Sequence, residues 1–152
     1  MSAADRLELL ADIGGTNARF ALAELGRGKR PALSQVRRYA AVEHDGVASA
    51  WAAYARDVGE PLPNAAAIAV AAPADQAVLR FVNSDWIIDR DAAARELGLA
   101  QAIWLNDFGA VAHAVSVMDD SELEPLAGPP GGIGDKELVT IVGPGTGLGV
   151  SL

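Results

Sequence analysis

The fold is decided by residues 9–22, which read Leu-Leu-Ala-Asp-Ile-Gly-Gly-Thr-Asn-Ala-Arg-Phe-Ala-Leu. Two apolar runs separated by a glycine pair predict a β-hairpin. Because Gly14 and Gly15 carry no Cβ and tolerate positive φ, another group can approach the backbone of the turn closely. Successive N–H groups in such a turn form a concave site for anions. The glycine pair alone equally suits a tight turn with no ligand.

Polar residues on both sides of the turn favour the ligand. Thr16 and Asn17 add a hydroxyl and an amide. Asp12 ends the first run and can face a hydrated Mg²⁺ ion. Arg19, in the second run, supplies local positive charge. Together these residues predict a phosphate cradle beside a metal-facing carboxylate.

Composition limits the class of protein. A chain of 152 residues, 51% of them hydrophobic, has the size of about one domain with a real core. The net charge of −8 argues against nucleic acid as the main partner. The absence of cysteine excludes a disulfide framework and a thiolate metal site. Neither a signal peptide nor an apolar run of ~18 residues is visible, so we expect a cytoplasmic protein without a membrane span.

Hydrophobic periodicity predicts an alternation of strands and helices along residues 7–118. Strands are expected at 7–13, 18–25, 33–39, 65–72 and 102–105, with a short extra strand at 78–82. Helices are expected at 47–58, with Trp51 and Tyr54 in the core, at 90–97, between an Asp89 N-cap and Gly98, and at 107–118. The order β-β-β-α-β-α-β-α indicates an α/β fold.

The end of the chain resembles its beginning. Residues 119–137 are rich in Pro and Gly and are predicted to be a linker. Residues 139–152, placed over 9–22, match Gly145 with Gly15 and Thr146 with Thr16. The sequence therefore predicts a second Gly-rich hairpin at 138–152.

Asn106 and Asp107 lie where a buried strand is predicted to meet a helix. Ligands of α/β sheets gather at the carboxyl ends of strands. Asp107 suits either of two tasks, the N-cap of the helix or the acceptor of a substrate proton. Spacing alone favours the cap.

Three of these stretches carry a resemblance to a known family. They are Asp12 to Leu22, Asn106-Asp107-Phe108 and Gly143-Pro144-Gly145-Thr146-Gly147-Leu148-Gly149. In this order they resemble the motifs of bacterial ATP-dependent glucokinases, which belong to the superfamily of sugar kinases, actin and heat-shock ATPases. The resemblance implies a ribonuclease-H-like mixed sheet with helices on its faces. It also implies a small kinase domain at 1–118, the linker, and the first hairpin of a truncated second domain at 138–152.

The resemblance also implies roles for particular residues. ATP and Mg²⁺ are expected between the two Gly-rich turns, with Asp12 holding Mg²⁺ through water and Asp107 accepting the proton of glucose O6. The expected nucleotide-binding residues are Asp12, Ile13, Gly14, Gly15, Thr16, Asn17, Arg19, Gly143, Gly145, Thr146 and Gly147. The expected sugar-binding residues are Asn106, Asp107, Asn83 and Ser84. For Asn83 and Ser84, a surface turn beside a buried Trp86 is an equal alternative.

The function implied is phosphorylation of glucose at O6, with this chain as roughly the N-terminal half of the kinase and inactive alone. The alternative is a non-catalytic domain of the same superfamily that senses a sugar or a nucleotide. Because an isolated hairpin is marginal in water and exposes unpaired backbone groups, we expect residues 138–152 to be disordered or to pair with a second copy in a homodimer.

Overall fold

The computed structural model describes residues 6–26, 30–81, 84–128, 138–144 and 148–151. The chain forms two compact units, Met1–Asp107 and Phe108–Leu152. The predicted domain limits at residues 118 and 138 stay predictions.

The described strands and helices follow the predicted order, with one short strand, β6, added. The strands are β1 (Arg6–Ile13), β2 (Asn17–Leu25), β3 (Ala32–Ala40), β4 (Ala65–Val70), β5 (Val78–Arg80), β6 (Ile87–Asp89), β7 (Gln101–Asn106), β8 (Ile141–Pro144) and β9 (Leu148–Ser151). The helices are α1 (Val47–Val58), α2 (Arg90–Glu96) and α3 (Asp107–Val115), with short 3-10 helices at Ala41–Glu43 and Asp120–Glu122. No helix in the described ranges is both long and apolar enough to cross a membrane.

The main sheet has the strand order β3-β2-β1-β4-β7. The strands β1, β2 and β3 form an antiparallel meander, whereas β4 and β7 run parallel to β1. The mixed α/β sheet predicted from the sequence is therefore confirmed. β5, which was predicted at 78–82, pairs with β6 in a separate antiparallel ribbon, and β6 was not predicted.

Aromatic side chains fill the core between the meander and α1. Phe20 is 1% exposed, and its ring centroid lies 5.2 Å from that of Tyr54 and 5.8 Å from that of Trp51. Trp51 and Tyr54 are both buried, as their helical spacing predicted. Rings at these separations add packing energy beyond the area they bury. The core thus fixes β2, and with it the turn that precedes β2.

Local signals set the helix ends. The Asp89 carboxylate accepts a hydrogen bond of 2.9 Å from the backbone N–H of Ala92, so Asp89 is the predicted N-cap of α2. Gly59 follows α1 with φ of 74°, and Gly98 follows α2 with φ of 69°. Both glycines adopt the left-handed conformation that ends helices and that other residues disfavour.

The hairpin of the second unit differs from the first in its loop. The last pair of β1 and β2 is Ile13 with Ala18, which encloses residues 14–17. The last pair of β8 and β9 is Pro144 with Leu148, which encloses residues 145–147. Because the second loop is one residue shorter, the sequence match between the hairpins holds in register along one strand only.

Candidate active site

The carboxyl ends of three parallel strands finish level at one edge of the sheet. Ile13 of β1 pairs with Val70 of β4, and Val70 pairs with Asn106 of β7. Since neighbouring strands lie ~4.8 Å apart, the last residues of β1 and β7 are separated by about 10 Å. The sheet therefore brings the first Gly-rich turn and the Asn106-Asp107 pair to the same edge.

The turn after β1 presents two adjacent backbone N–H groups that donate to none of the described residues. The N–H of Gly14 donates to the carbonyl of Asn17 at 2.9 Å, and the carbonyl of Thr16 accepts from the N–H of Ala41 at 2.8 Å. Within the part of the chain that the structure describes, the N–H groups of Gly15 and Thr16 reach no acceptor. Two adjacent donors of this kind suit an anion.

Gly14 is required neither by its conformation nor by its protein neighbours. Its φ lies outside the left-handed region, and an added Cβ would lie 3.7 Å from the carbonyl oxygen of Asn17, an ordinary contact. A glycine at this position therefore keeps the space beside the turn open.

Asp12 and Arg19 face each other across the same hairpin. They are cross-strand partners in β1 and β2, and the guanidinium Nη1 lies 2.7 Å from the carboxylate Oδ2. Their side chains are 48% and 54% exposed, respectively. Solvent and ligands can reach both charges, and each holds the other beside the turn.

Asn106 ties two strand ends together. Its side-chain Nδ2 donates to the carbonyl of Ala72 at 3.1 Å, in the loop that follows β4. The backbone N–H of Ala71, in the same loop, donates to the carbonyl of Ile13 at 3.0 Å. Asp107 comes next in the chain as the first residue of α3 and is partly buried. These hydrogen bonds fix the backbone on either side of the site.

The side chain of Ser84 stabilises the local turn in this structure. Its hydroxyl accepts a hydrogen bond of 3.2 Å from the N–H of Trp86. Trp86 is 6% exposed, and its indole N–H donates to the carbonyl of His44 at 3.0 Å. This is the geometry of a turn beside a buried tryptophan, and a sugar contact from Ser84 stays a prediction. Asn83 lies outside the described residues.

The second Gly-rich motif is described at its two ends. Gly143 and Gly149 are cross-strand partners, whereas Gly145, Thr146 and Gly147 lie outside the described residues. The ring of Phe108 packs against both described glycines. This contact was not predicted from the sequence, although a glycine at each end of the motif was a signal for it.

The described residues provide no metal site made of protein ligands alone. No group of three or more His, Cys, Asp or Glu side chains in these ranges is arranged to hold a metal ion. Asp12 is a half-exposed carboxylate beside a turn whose N–H groups suit an anion. That donor set fits Mg²⁺, which is commonly held by one or two carboxylates, water and substrate phosphates.

A mixed sheet of this order, with a Gly-rich turn after its first strand and an Asn-Asp pair after its last, defines an actin-like ATPase domain of the sugar-kinase type. The family model described as Glucokinase matches residues 9–152, so the chain belongs to the glucokinase family.

Individual relatives agree with this assignment. The glucokinase of Zymomonas mobilis is 41% identical over 146 residues, which cover 95% of this chain and 45% of that protein. The crystal structure of a glucokinase from an Antarctic psychrotroph matches with a TM-score of 0.83 at 27% identity, over 95% of this chain and 45% of the other. A glucokinase from Balamuthia mandrillaris, solved in complex with glucose, shares the fold with a TM-score of 0.63 at 24% identity, over 98% of this chain and 44% of the other. The chain thus spans about half the length of these relatives.

Proposed function

We propose that the kinase to which this chain belongs transfers the γ-phosphoryl group of ATP to O6 of glucose. In this proposal the chain supplies the first phosphate-binding turn and the catalytic carboxylate. The observation that carries it is the level alignment of Ile13, Val70 and Asn106, which gathers two family motifs at one sheet edge. The glucokinase family assignment supports the choice of substrates.

Asp107 is the proposed general base. The O6 hydroxyl gives its proton to the Asp107 carboxylate while O6 forms a bond to the γ-phosphorus. The bond from that phosphorus to the β–γ bridging oxygen breaks, and ADP leaves. Phosphoryl transfer depends mainly on alignment and electrostatics. The anchoring of Asn106 to Ala72 supports this role because it fixes the backbone just before Asp107.

The first turn is the proposed phosphate site. The N–H groups of Gly15 and Thr16 point to no protein acceptor within the described residues, and Gly14 leaves space beside them. Arg19 adds a positive charge near a trianionic or tetra-anionic ligand. Asp12 would hold Mg²⁺ through water, and Mg²⁺ would supply neutralisation of phosphate charge.

The experiment compares two aspartates that each lie at a junction between a strand and a helix. Asp107→Asn should lower kcat by roughly 10²–10⁴ in the complete kinase, with little change in glucose affinity. Asp89→Asn is the matched control, because the Asp89 carboxylate caps α2 and asparagine caps nearly as well. Near-wild-type kcat with a raised KM for glucose in Asp107→Asn would reassign Asp107 to binding or capping.

Self-association and location complete the proposal. Val142 and Val150 are cross-strand partners and are 55% and 56% exposed, which supports a homodimer formed through the β8–β9 hairpin. Light scattering on the 152-residue chain and on a chain ending at residue 135 tests this, since only the longer chain should dimerise.

The proposed location of the kinase is the cytoplasm, which fractionation of the source cells tests.

A further inference from the structure

The glycines at both ends of the second Gly-rich motif face one aromatic ring. Gly143 and Gly149 are opposite each other in the β8–β9 ladder. A Cβ built on Gly143 would lie 2.6 Å from Cε1 of Phe108, and one built on Gly149 would overlap the Cε2, Cζ and Cδ2 atoms of that ring. Neither glycine has a left-handed φ. The space taken by the ring, rather than backbone conformation, therefore disfavours a side chain at both positions.

A glycine next to Phe108 in α3 makes no such contact. Gly109 follows Phe108 in α3, and a Cβ built on it would meet nothing within 4 Å. The ring thus leaves α3 toward the hairpin and occupies the surface that the paired glycines leave bare. Glycine weakens a strand because it has no side chain to pack, and an aromatic ring laid over a glycine restores that packing.

We propose that Phe108 is a positioning residue, which fastens the β8–β9 hairpin to α3 and so holds the second Gly-rich motif in place. A hairpin of two four-residue strands is marginal alone. The ring supplies apolar contact on the face that carries Gly143 and Gly149, while Val142 and Val150 occupy the other face. Phe108 directly follows Asp107 in the chain. The effect of this contact on nucleotide binding rests on the proposed function.

The contact of the Phe108 ring with Gly143 and Gly149 is tested by NMR on the 152-residue chain. The ring should shift the Hα signals of Gly143 and Gly149 upfield, and Phe108→Leu should abolish the shift. Amide hydrogen exchange in β8 and β9 should become roughly tenfold faster in Phe108→Leu. Unshifted Hα signals in the unaltered chain would overturn the proposal.

A double-mutant cycle tests the fit of ring and glycine. Gly149→Ala should speed exchange in the hairpin when Phe108 is present and should do so much less in the Phe108→Ala background, where the new methyl group has room. Gly109→Ala is the control and should leave the hairpin unchanged. Additive effects of the two substitutions would show that ring and glycine do not interact, which would overturn the proposal.

Kinetics of the complete kinase separate positioning from simple stabilisation. Phe108→Leu should raise KM for ATP several-fold and leave KM for glucose unchanged. An unchanged KM for ATP would overturn the positioning role. A complete protein without any kinase activity would refute the proposed function instead. The NMR and exchange results on the hairpin would still test whether Phe108 holds it.

Discussion

The ion pair between Arg19 and Asp12 is predicted to matter for ligand binding and hardly at all for stability. Its N–O distance is 2.7 Å, but both side chains are about half exposed. Ion pairs in contact with solvent contribute about 0.2–1 kcal/mol, and salt reduces this further. In a protein of this size 1 kcal/mol moves the melting temperature by about 2–4 °C. Arg19→Gln should therefore lower the melting temperature by less than about 4 °C.

Nucleotide affinity should respond far more strongly to the same substitution. A hydrogen bond to a charged group contributes about 1.5–3 kcal/mol. Loss of the guanidinium should therefore weaken binding of a non-hydrolysable ATP analogue to the complete kinase by roughly 10- to 150-fold. Calorimetric titration of that analogue and of glucose measures both affinities. Glucose affinity should stay unchanged because the substitution is beside the proposed phosphate site.

Arg6→Gln is the matched control at the other end of β1. Arg6 Nε lies 2.8 Å from the Glu8 carboxylate, and its side chain is 56% exposed. Arg6 also donates to the side chain of Gln101 at 2.6 Å. Arg6→Gln should thus cost at least as much stability as Arg19→Gln and leave nucleotide affinity intact. Equal losses of affinity in the two variants, or none in Arg19→Gln, would refute the role of Arg19.

Four further predictions concern the turn after β1, the isolated chain and two tyrosines. Gly15→Val should abolish ATP affinity and mostly retain glucose binding, because it puts a branched side chain at the proposed phosphate site; equal loss of both in calorimetry would indicate misfolding. The 152-residue chain alone should form no glucose 6-phosphate in a coupled assay, since catalysis needs groups positioned around both substrates; clear product from a mass-verified sample would falsify this. Burial and the hydrogen bond donated to Asp57 raise the pKa of Tyr39 far above its usual ~10, so stability should be retained below pH ~10 and fall as the pH rises beyond it. Tyr39→Phe should flatten that fall in pH-dependent denaturant titrations. Tyr54→Phe should be neutral or stabilising at pH 7, because within the described residues the buried Tyr54 hydroxyl has no partner.

Long amphipathic segments were predictable from the sequence. The limits of α1, Val47 to Val58, match the prediction because its apolar residues keep the helical period until Gly59. The predicted helix at 107–118 ends earlier, at Val115. The hydroxyl of Ser116 donates to the carbonyl of His113 at 2.8 Å, and the next backbone N–H groups bond three residues back. Competition of this kind is not visible in a pattern of apolar residues.

Very short strands, and strand ends that are set by pairing with distant strands, could not be predicted from the sequence. The strand β6 has three residues, which is too few to show a period of two, and it was not predicted. The strand predicted at 78–82 is present as the shorter β5. The strand predicted at 65–72 ends at Val70, because its partners β1 and β7 end at Ile13 and Asn106. The alignment of the carboxyl ends of β1, β4 and β7 at the candidate site thus depends on how the three strands pair.

Glycine has opposite purposes in the two motifs, and this explains why their sequences match only in part. At Gly14 the turn leaves the place of a Cβ open. At Gly143 and Gly149 that place is filled by Phe108. In the sequence match, those two glycines stand opposite Ile13 and Arg19, which the first hairpin needs for its core and its charge. A substitution to alanine should therefore be tolerated by the fold at Gly14 and resisted at Gly149, although a motif search treats both as the same kind of residue.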